Sequence, residues 1–334
     1  MVQAIHKIRD GKDLSSEETK IIFDEIFSGD VEEERIGAFL LALRRKGETV
    51  EEILGAAQSM RGKALTISAP DNAMDIVGTG GDSKGTYNIS TATALVVASC
   101  GVPVAKHGNR AATSKSGSSD VLAALGVNLD APFPILEKCL RETNLCFLFA
   151  PKHHPAMKHV AAIRKKLGVR TIFNLLGPLT NPANVKKHLI GVYSDKFLLP
   201  LAEVLHDLGS HSAWITHGRD GMDEITTTAI TDVVSLSNDE LSRFEIAPQD
   251  LDLHIADEKE LIGGDAQENA KAINSLLAGE KTAYRKAVII NAAAALVIAG
   301  KATDMKHGVS LAGESIDLGQ AAETLRKIVK TTNL

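Results

Sequence analysis

From residue 70 onward, short apolar runs typical of strands alternate with stretches typical of helices. The first of these segments are, in order, MDIVGTGGD, TATALVVASCG, VPVAKHG and SSDVLAALGV. Strands that alternate with helices in this way predict a mostly parallel sheet with covering helices. The alternation returns further along the chain in HLIGVYS, LAEVLHDLGS, HSAWITHG and VVSLSN. Most of the chain is therefore predicted to form an α/β unit.

The N-terminal part of the chain carries helix signals and no strand signal. Ser15 and Glu18 form a capping-box pattern before an apolar run, and Thr49 and Glu52 form another. Such pairs mark helix N-termini because each residue satisfies a backbone N–H of the other. A helix is also predicted from about residue 31 to residue 46. We therefore expect a small helical domain before the α/β unit.

The segment AMKHVAAIRKKLGVRTIFNLLGPLTNP interrupts the α/β alternation. Its first part predicts a basic amphipathic helix, and its last part is rich in Gly, Pro and Asn. We expect this crossing segment to run between the two domains, with bends at Pro178 and Pro182.

Composition and charge favour an ordinary globular protein over a nucleic-acid or membrane protein. The chain of 334 residues is 44% hydrophobic and 4% aromatic, with a formal net charge of -5. This balance should not attract nucleic acid or an anionic membrane, and few aromatic side chains are available to stack on bases. The late apolar run AVIINAAAALVIAG is interrupted by Asn291 and is too short to span a bilayer. It predicts a buried helix.

The cysteines are Cys100, Cys139 and Cys146, an odd number with no C-x-x-C pair. This pattern predicts neither a disulfide framework nor a zinc site, and it favours a reducing compartment. The N-terminal sequence lacks the apolar region of a signal peptide. We therefore expect a cytoplasmic location.

The motif GTGGD at residues 78–82 follows a predicted strand and precedes a helix start at NIST. Glycines let backbone N–H groups approach phosphate oxygens closely, and a helix N-terminus adds further donors. A tight strand-to-helix connection is the alternative for such a turn taken alone. The turn is not G-x-G-x-x-G and lacks the G-K-[ST] of a P-loop, so neither a dinucleotide fold nor an ATPase is favoured.

The motif KHGNR follows the next strand, and SGSSD begins the helix after it. Lys106 and Arg110 at the carboxyl end of a strand indicate an anion site, because open α/β sheets bind ligands there. The hydroxyls and N–H groups of SGSSD also suit phosphate. An exposed basic loop and a plain helix N-cap are the alternatives for these two motifs.

Asp223 and Glu224 lie in HGRDGMDEIT, directly after a predicted strand. Adjacent carboxylates in a turn can hold Mg²⁺ while the ion keeps oxygen ligands from water and substrate. For an isolated pair, solvated surface charge is the alternative. The phosphate-type loops elsewhere in the chain favour the metal site.

Taken together, these motifs resemble those of the anthranilate phosphoribosyltransferases. The shared motifs, in the family's order, are GTGGD, NIST, KHGNR, SGSSD, HHPAM, VRTIFNLLGPLTNP and MDE. The resemblance covers almost the whole chain and is strongest between residues 75 and 182. The diphosphoribosyl-binding motif of the commoner phosphoribosyltransferases, two acids followed by a T-G turn, is not apparent.

The resemblance implies an α/β fold of the nucleoside phosphorylase and phosphoribosyltransferase type. A small all-helical domain packs beside a larger α/β domain with a mostly parallel central sheet. The helical domain would comprise residues 1–70, completed by about residues 165–186. The α/β domain, which binds the phosphoribosyl diphosphate, would comprise residues 71–164 and 187–334. A homodimer formed through the helical domains is also implied.

The same resemblance implies a reaction of tryptophan biosynthesis. The phosphoribosyl group of 5-phosphoribosyl 1-diphosphate (PRPP) passes to the amine of anthranilate, giving N-(5-phosphoribosyl)anthranilate and diphosphate. Two Mg²⁺ ions per subunit are implied, and their ligands would be Ser90, Asp223 and Glu224.

The substrate-binding residues are carried over from the family motif by motif. Those implied for PRPP are Gly78, Gly81, Asp82, Thr86, Asn88, Ser90, Thr91, Lys106, Ser118 and Ser119. Those implied for anthranilate are Gly78, Asn109, Arg164, His107, His154, Arg110 and Gly177. Arg164 suits the carboxylate of anthranilate because its planar guanidinium can form a bidentate pair, and a salt bridge on an exposed helix is the alternative. No general base is assigned, and His107 is a candidate for a minor role only.

Two other functions use related features. A nucleoside phosphorylase would use the same loops for free phosphate and a nucleoside, and a non-catalytic relative would bind nucleic acid. The acidic balance and the presence of Asn109, Arg164 and NLLGPLTNP argue against nucleic-acid binding.

Overall fold

A computed structural model describes residues 1–110 and 115–334 of the chain. The helices within these residues are α1 (Val2–Arg9), α2 (Ser16–Ser28), α3 (Glu33–Lys46), α4 (Val50–Gly62), α5 (Ile89–Ser99), α6 (Ser118–Ala124), α7 (Phe133–Thr143), α8 (Ala150–His153), α9 (Lys158–Leu167), α10 (Phe173–Leu179), α11 (Leu198–Asp207), α12 (Ala266–Leu277), α13 (Ala283–Ala299), α14 (Met305–Asp317) and α15 (Gln320–Thr332). The strands are β1 (Met74–Gly78), β2 (Val104–Gly108), β3 (Leu145–Phe149), β4 (Lys187–Gly191), β5 (Ser212–Gly218), β6 (Thr231–Ser237) and β7 (Glu240–Ile246).

The described strands form a 7-stranded sheet in the order β3-β2-β1-β4-β5-β6-β7. Neighbouring strands from β3 through β5 run parallel, while β6 pairs antiparallel with β5 and with β7. The prediction of a mostly parallel sheet is confirmed. Because the chain adds β2 and β3 on one side of β1 and then β4 on the other, β1 and β4 flank a topological switch point.

The N-terminal helices confirm the predicted caps. Ser15 and Thr49 each accept a hydrogen bond from the N–H of the glutamate three residues later, and both glutamates bond back to the cap. Helix α3 begins at Glu33, slightly later than expected. No strand occurs between residues 1 and 73, so the small helical domain before the α/β domain is confirmed.

The N-terminal helices share an apolar cluster with the crossing segment. Phe23 lies at the centre, and its ring centroid is 5.9 Å from Phe27, 6.1 Å from Phe39 and 5.5 Å from Phe173. Phe173 belongs to α10, and Ile163 of α9 is buried in the same cluster. Helices α9 and α10 therefore pack with the N-terminal helices although they lie far along the chain.

The larger apolar cluster surrounds the sheet. Leu95 and Val96 of α5 and Ile290 and Leu296 of α13 are fully buried within it. Helix α13 is buried along almost its whole length, as its apolar sequence predicts. No helix in the described part of the chain is long and apolar enough to cross a membrane.

Pro178, where a bend is predicted, lies one residue before the end of α10. Pro178 lies inside α10, where its missing N–H removes one helical hydrogen bond. The helix ends directly afterwards at Leu179, and the hydroxyl of Thr180 closes it by donating to the carbonyl of Leu176 at 2.8 Å. Pro182 lies in the turn that follows.

Gly55 permits the close packing of α4 against α2. A Cβ at Gly55 would overlap the carbonyl oxygen of Ser16 and lie 2.9 Å from the backbone nitrogen of Lys20. Because backbone cannot swing aside as a flexible side chain does, we expect Gly55→Ala to lower the free energy of unfolding by about 1–3 kcal/mol. Urea denaturation followed by circular dichroism measures this loss.

Gly62→Ala is the matched control, since Gly62 lies in the same helix and has open space around its Cα. Helix propensity alone should leave that variant unchanged or raise its free energy of unfolding by up to about 1 kcal/mol. Equal stability of the two variants would contradict the packing role of Gly55.

Candidate active site

The carboxyl ends of β1, β2 and β4 lie together at one edge of the sheet. β1 ends at Gly78, which pairs with Gly191 at the end of β4, and β2 ends at Gly108. The glycine-rich loop of residues 78–82 and the KHGNR motif therefore leave the sheet from adjacent strands. Open α/β sheets bind ligands at this position, next to the topological switch point.

The turn that carries Asp223 closes over this edge. The N–H of Gly80 donates to Oδ2 of Asp223 at 2.6 Å, and a Cβ at Gly78 would lie 2.5 Å from the same oxygen. A Cβ at Gly191 would overlap the carbonyl of Asp223. Glycine at these two strand ends therefore lets a carboxylate from residue 223 reach the glycine-rich loop.

Asp223 and Glu224 lie in the turn between β5 and β6, the acidic turn, and are not ordinary surface charges. Asp223 is 8% exposed, and burial raises its pKa well above the usual value, with Asp82 and Glu224 raising it further. Burial also raises the pKa of Glu224, to about 7, although Lys106 acts in the opposite direction. The pair and Asp82 therefore concentrate negative charge in a poorly solvated place.

Lys106 and Ser90 connect the strands to this acidic turn. Lys106 is 2% exposed, and its Nζ donates to the carbonyl of Ile76 at 2.5 Å and to Oγ of Ser90 at 3.1 Å. The N–H of Ser90 donates to Oε1 of Glu224 at 3.2 Å. Burial lowers the pKa of Lys106, while Asp75, Glu224 and Asp223 raise it. Three motifs distant in sequence therefore meet here.

Asn88 joins the start of α5 to the SGSSD motif. Its Nδ2 donates to the carbonyl of Ser116 at 3.2 Å, and its Oδ1 accepts from Asn269 at 2.9 Å. The buried hydroxyls of Thr91 and Ser119 have no hydrogen-bond partner within the described residues. Such hydroxyls at adjacent helix starts suit a polyanionic ligand.

Thr86 lies at the end of the glycine-rich segment, two residues before Asn88. Its backbone pairs with that of Ile262 in an isolated antiparallel bridge. The bridge holds the end of the glycine-rich segment against the region before α12.

Asn109 and Arg110 of KHGNR contact the SGSSD loop. The carbonyl of Asn109 accepts hydrogen bonds from Oγ of Ser118 and from the N–H of Ser119, both at 3.3 Å. Arg110 is exposed, and its Nη1 lies 3.8 Å from Oδ1 of Asp120. The KHGNR and SGSSD loops are thus bonded to each other.

His107 faces the crossing segment. Its Nδ1 lies 3.1 Å from the carbonyl oxygen of Gly177, and its ring centroid is 5.1 Å from that of His154. Burial, followed by His154, lowers the pKa of His107 to about 3, and burial lowers that of His154 to about 4. Both rings are therefore neutral at pH 7 and only weakly basic.

Arg164 is the inward-facing cation of α9. Its guanidinium carbon lies 5.3 Å from the ring centroid of Phe173, and burial lowers its pKa. Lys165 and Lys166 are exposed, as expected for successive residues that point about 100° apart on a helix. Arg164 forms no ion pair with another residue in the described ranges, so the salt-bridge alternative is not supported.

Two residues of this region were missed by the sequence analysis. Asp75 is fully buried, and its carboxylate accepts from the N–H of Ile76 at 2.8 Å, from the N–H of His107 at 3.1 Å and from Nδ2 of Asn181 at 2.8 Å. Burial raises its pKa to about 6. An aspartate inside an apolar strand is the signal that could have identified it.

Arg170 is the second missed residue. Its guanidinium donates to the carbonyl of Gly81, and its Cζ lies 4.4 Å from the ring centroid of Tyr193. Tyr193 in turn is bonded to the glycine-rich loop, because its N–H donates to Oγ1 of Thr79 at 3.1 Å. A cation from the crossing segment thus reaches the proposed phosphate loop, and no local sequence signal predicted it.

Two family models match the chain. One described as "Glycosyl transferase family, helical bundle domain" matches residues 2–64, and one described as "Glycosyl transferase family, a/b domain" matches residues 70–322. A curated relative, the anthranilate phosphoribosyltransferase of Rhodospirillum rubrum, is 54% identical over 325 residues, which cover 97% of this chain and 94% of that protein.

Solved structures give the same result. The anthranilate phosphoribosyltransferase of Thermus thermophilus matches with a TM-score of 0.94 and 41% identity, covering 99% of each chain. That of Saccharomyces cerevisiae in complex with PRPP and Mg matches with a TM-score of 0.91 and 28% identity, covering 99% of this chain and 97% of that one. The yeast enzyme in complex with 4-fluoroanthranilate has a TM-score of 0.89 at 26% identity, with coverage of 99% and 97%.

Proposed function

The chain belongs to the anthranilate phosphoribosyltransferase family, and we propose that the edge formed by β1, β2 and β4 is its active site. The enzyme transfers the phosphoribosyl group of PRPP to anthranilate. A C1–N bond forms, the C1–O bond to diphosphate breaks, and the amine loses a proton. The observation that carries the site proposal is the convergence of Lys106, Ser90 and Glu224 beside the glycine-rich loop.

The proposed PRPP site combines residues of the glycine-rich segment up to the start of α5 with residues of KHGNR and SGSSD. They are Gly78, Gly81, Asp82, Thr86, Asn88, Ser90, Thr91, Lys106, Ser118 and Ser119. Backbone N–H groups of the glycine-rich loop and the start of α5 suit the phosphate oxygens. The buried cation of Lys106 and the partnerless hydroxyls of Thr91 and Ser119 support the same assignment.

We assign Mg²⁺ to the acidic turn, with two ions per subunit. Ser90 and Glu224 would hold one ion, and Asp223 and Glu224 the other. The residues fit, because hard oxygen ligands are what Mg²⁺ prefers and because burial, together with the nearby carboxylate of Asp82, raises the pKa of both carboxylates, which a bound cation would offset. Within the described ranges, no three His, Cys, Asp or Glu side chains are grouped so that they could hold a metal ion by themselves. When bound, Mg²⁺ would neutralise charge on the diphosphate.

The anthranilate site would lie where the crossing segment meets KHGNR. Its proposed residues are Gly78, Asn109, Arg164, His107, His154, Arg110 and Gly177. The inward guanidinium of Arg164 suits the carboxylate. The neutral rings of His107 and His154 can contact the flat aromatic ring without adding charge.

The attack of the amine on C1 needs little assistance from a general base. An aromatic amine is already neutral at pH 7, and the low pKa of His107, about 3, leaves it at most a minor role. The difficult event is departure of diphosphate, during which negative charge builds on the leaving group. In this proposal Lys106 and the N–H groups of the glycine-rich loop would stabilise that charge, and holding both substrates would supply much of the remaining rate enhancement.

We also propose the division into a helical domain of residues 1–70 with about 165–186 and an α/β domain of 71–164 and 187–334. The packing of Phe173 against Phe23 and Phe27 supports it. A cytoplasmic homodimer joined through the helical domains completes the proposal. Exposed apolar side chains on α1, α2 and α3 support the dimer, namely Val2, Ile21 and Leu41. Sedimentation equilibrium would give the subunit number.

A fluorescence assay tests the function. Anthranilate fluorescence should fall only when PRPP and Mg²⁺ are both present. A nucleoside phosphorylase would instead consume a nucleoside and inorganic phosphate, so that pair of substrates serves as the control. Turnover of the nucleoside without loss of anthranilate fluorescence would contradict the proposal.

Asp223→Asn combined with Glu224→Gln should remove most turnover and raise the Mg²⁺ concentration needed for activity. Losing charge stabilisation of the departing diphosphate should lower kcat by about a thousandfold or more. A Mg²⁺ titration of initial rates measures both effects. Unchanged activity across the titration would remove these carboxylates from the site.

Arg164→Ala should raise the KM for anthranilate with a smaller change in kcat, if the ion pair is made equally in ground and transition states. Loss of a partly solvated charged hydrogen bond should lower kcat/KM by roughly ten- to a hundredfold. The KM for PRPP should barely move. Lys165→Ala is the control and should be nearly silent because Lys165 is exposed. A rise in the KM for PRPP alone would place the anthranilate site elsewhere.

Arg170 provides a test of the PRPP loop. Arg170→Ala should raise the KM for PRPP by about tenfold, because a cation that contacts Gly81 would be lost. Arg170→Lys separates two reasons for this effect, since Lys keeps the positive charge but not the planar guanidinium that contacts Gly81 and Tyr193. A defect in the alanine variant that the lysine variant relieves indicates that the charge acts on the phosphates. Normal kinetics of both would show that the contact is dispensable, and Lys166→Ala is the surface control.

A further inference from the structure

Asn291 is a polar residue at the centre of a buried apolar helix. It lies in α13, is 1% exposed, and has the fully buried Ile290 and Ala292 as neighbours. A buried amide in such a place must have partners, because an unpaired one costs stability. None of the roles assigned above uses Asn291.

The side chain of Asn291 bonds both backbone groups of one residue in the acidic turn. Its Oδ1 accepts from the N–H of Ile225 at 3.0 Å, and its Nδ2 donates to the carbonyl of Ile225 at 2.8 Å. The second hydrogen of Nδ2 goes to the carbonyl of Ala287 within α13, also at 2.8 Å. Ile225 follows Glu224 directly, and its own side chain is fully buried.

The acidic turn has little regular structure to hold it in place. The residues between β5 and β6 form neither helix nor strand. On one side, Asp220 accepts from the N–H of Met222 at 3.0 Å and from the hydroxyl of Thr226 at 2.6 Å. These bonds are internal to the turn. Asn291 instead ties the turn to a helix that packs against the sheet.

We propose that Asn291 is a positioning residue for Asp223 and Glu224, and that it sets their affinity for the divalent cation. The inference rests on the metal assignment in the proposed function. Because Asn291 bonds both the N–H and the carbonyl of Ile225, the backbone of the preceding Glu224 is held in one position relative to β1 and α5. Without the amide, the buried N–H and carbonyl of Ile225 lack partners, and the turn must shift to find them. Any such shift moves the adjacent carboxylate.

Direct metal binding tests this proposal without relying on turnover. Electron paramagnetic resonance can follow free Mn²⁺ as it is titrated into the purified protein. Asn291→Ala and Asn291→Leu should each weaken Mn²⁺ binding by about ten- to a hundredfold, the usual effect of removing a partner of a metal ligand. Leu has the same number and branching of side-chain heavy atoms as Asn and leaves no cavity, so a binding defect shared by both variants comes from the lost hydrogen bonds.

Ile290→Ala is the matched control. It removes buried volume from the neighbouring position of α13 and should lower the melting temperature, but Mn²⁺ binding by the folded protein should stay within about twofold of the natural chain. Binding is measured at low temperature so that all variants stay folded. Circular dichroism of each sample checks that they are. The Mg²⁺ concentration for half-maximal rate should rise only in the Asn291 variants.

Two results would overturn the proposal. If the Asn291 variants lose stability like Ile290→Ala but bind Mn²⁺ normally, Asn291 serves only the packing of α13. If the combined Asp223→Asn and Glu224→Gln variant also binds Mn²⁺ normally, the metal assignment itself fails, and the role of Asn291 fails with it.

Discussion

The proposed active site depends on how closely the turn of Asp223 can approach β1 and β4. Both strands end in glycine where the turn crosses them, and a Cβ at Gly78 or Gly191 would meet Asp223. The approach brings carboxylates, the cation of Lys106 and a loop of N–H donors into one poorly solvated volume. Electrostatic interactions are stronger there than in water. Without the approach, the same motifs would be separate surface loops.

A buried polar network lies beneath this edge and connects the two proposed substrate sites. Asp75 holds the backbone of His107 and the side chain of Asn181, and Asn181 also donates to the carbonyl of Ala105 at 2.8 Å. β2 and the end of the crossing segment are therefore fixed to the same strand. The buried carboxylate of Asp75 is tolerated because both of its oxygens accept hydrogen bonds.

Many elements of the fold could be predicted because their signals are local. Only residues within one or two helical turns determine the capping boxes at Ser15 and Thr49, the burial of α13 and the inward orientation of Arg164. The glycine and proline of NLLGPLTNP gave no helix signal, yet α10 includes Gly177 and Pro178 and ends at Leu179. Asp75 and Arg170 were missed, since their partners lie far away in sequence.

The sequence by itself determined the element types, the phosphate-type loops, the acidic pair and, through its motifs in order, the family. Tertiary structure decided which side chains meet. Gly80 and Asp223 are 143 residues apart, and Asn291 and Ile225 are 66 apart. Such contacts follow from strand order and register, which place distant segments side by side. A local pattern records a residue's own preference for helix, strand or turn, and it carries no information about the partner that the sheet brings to it.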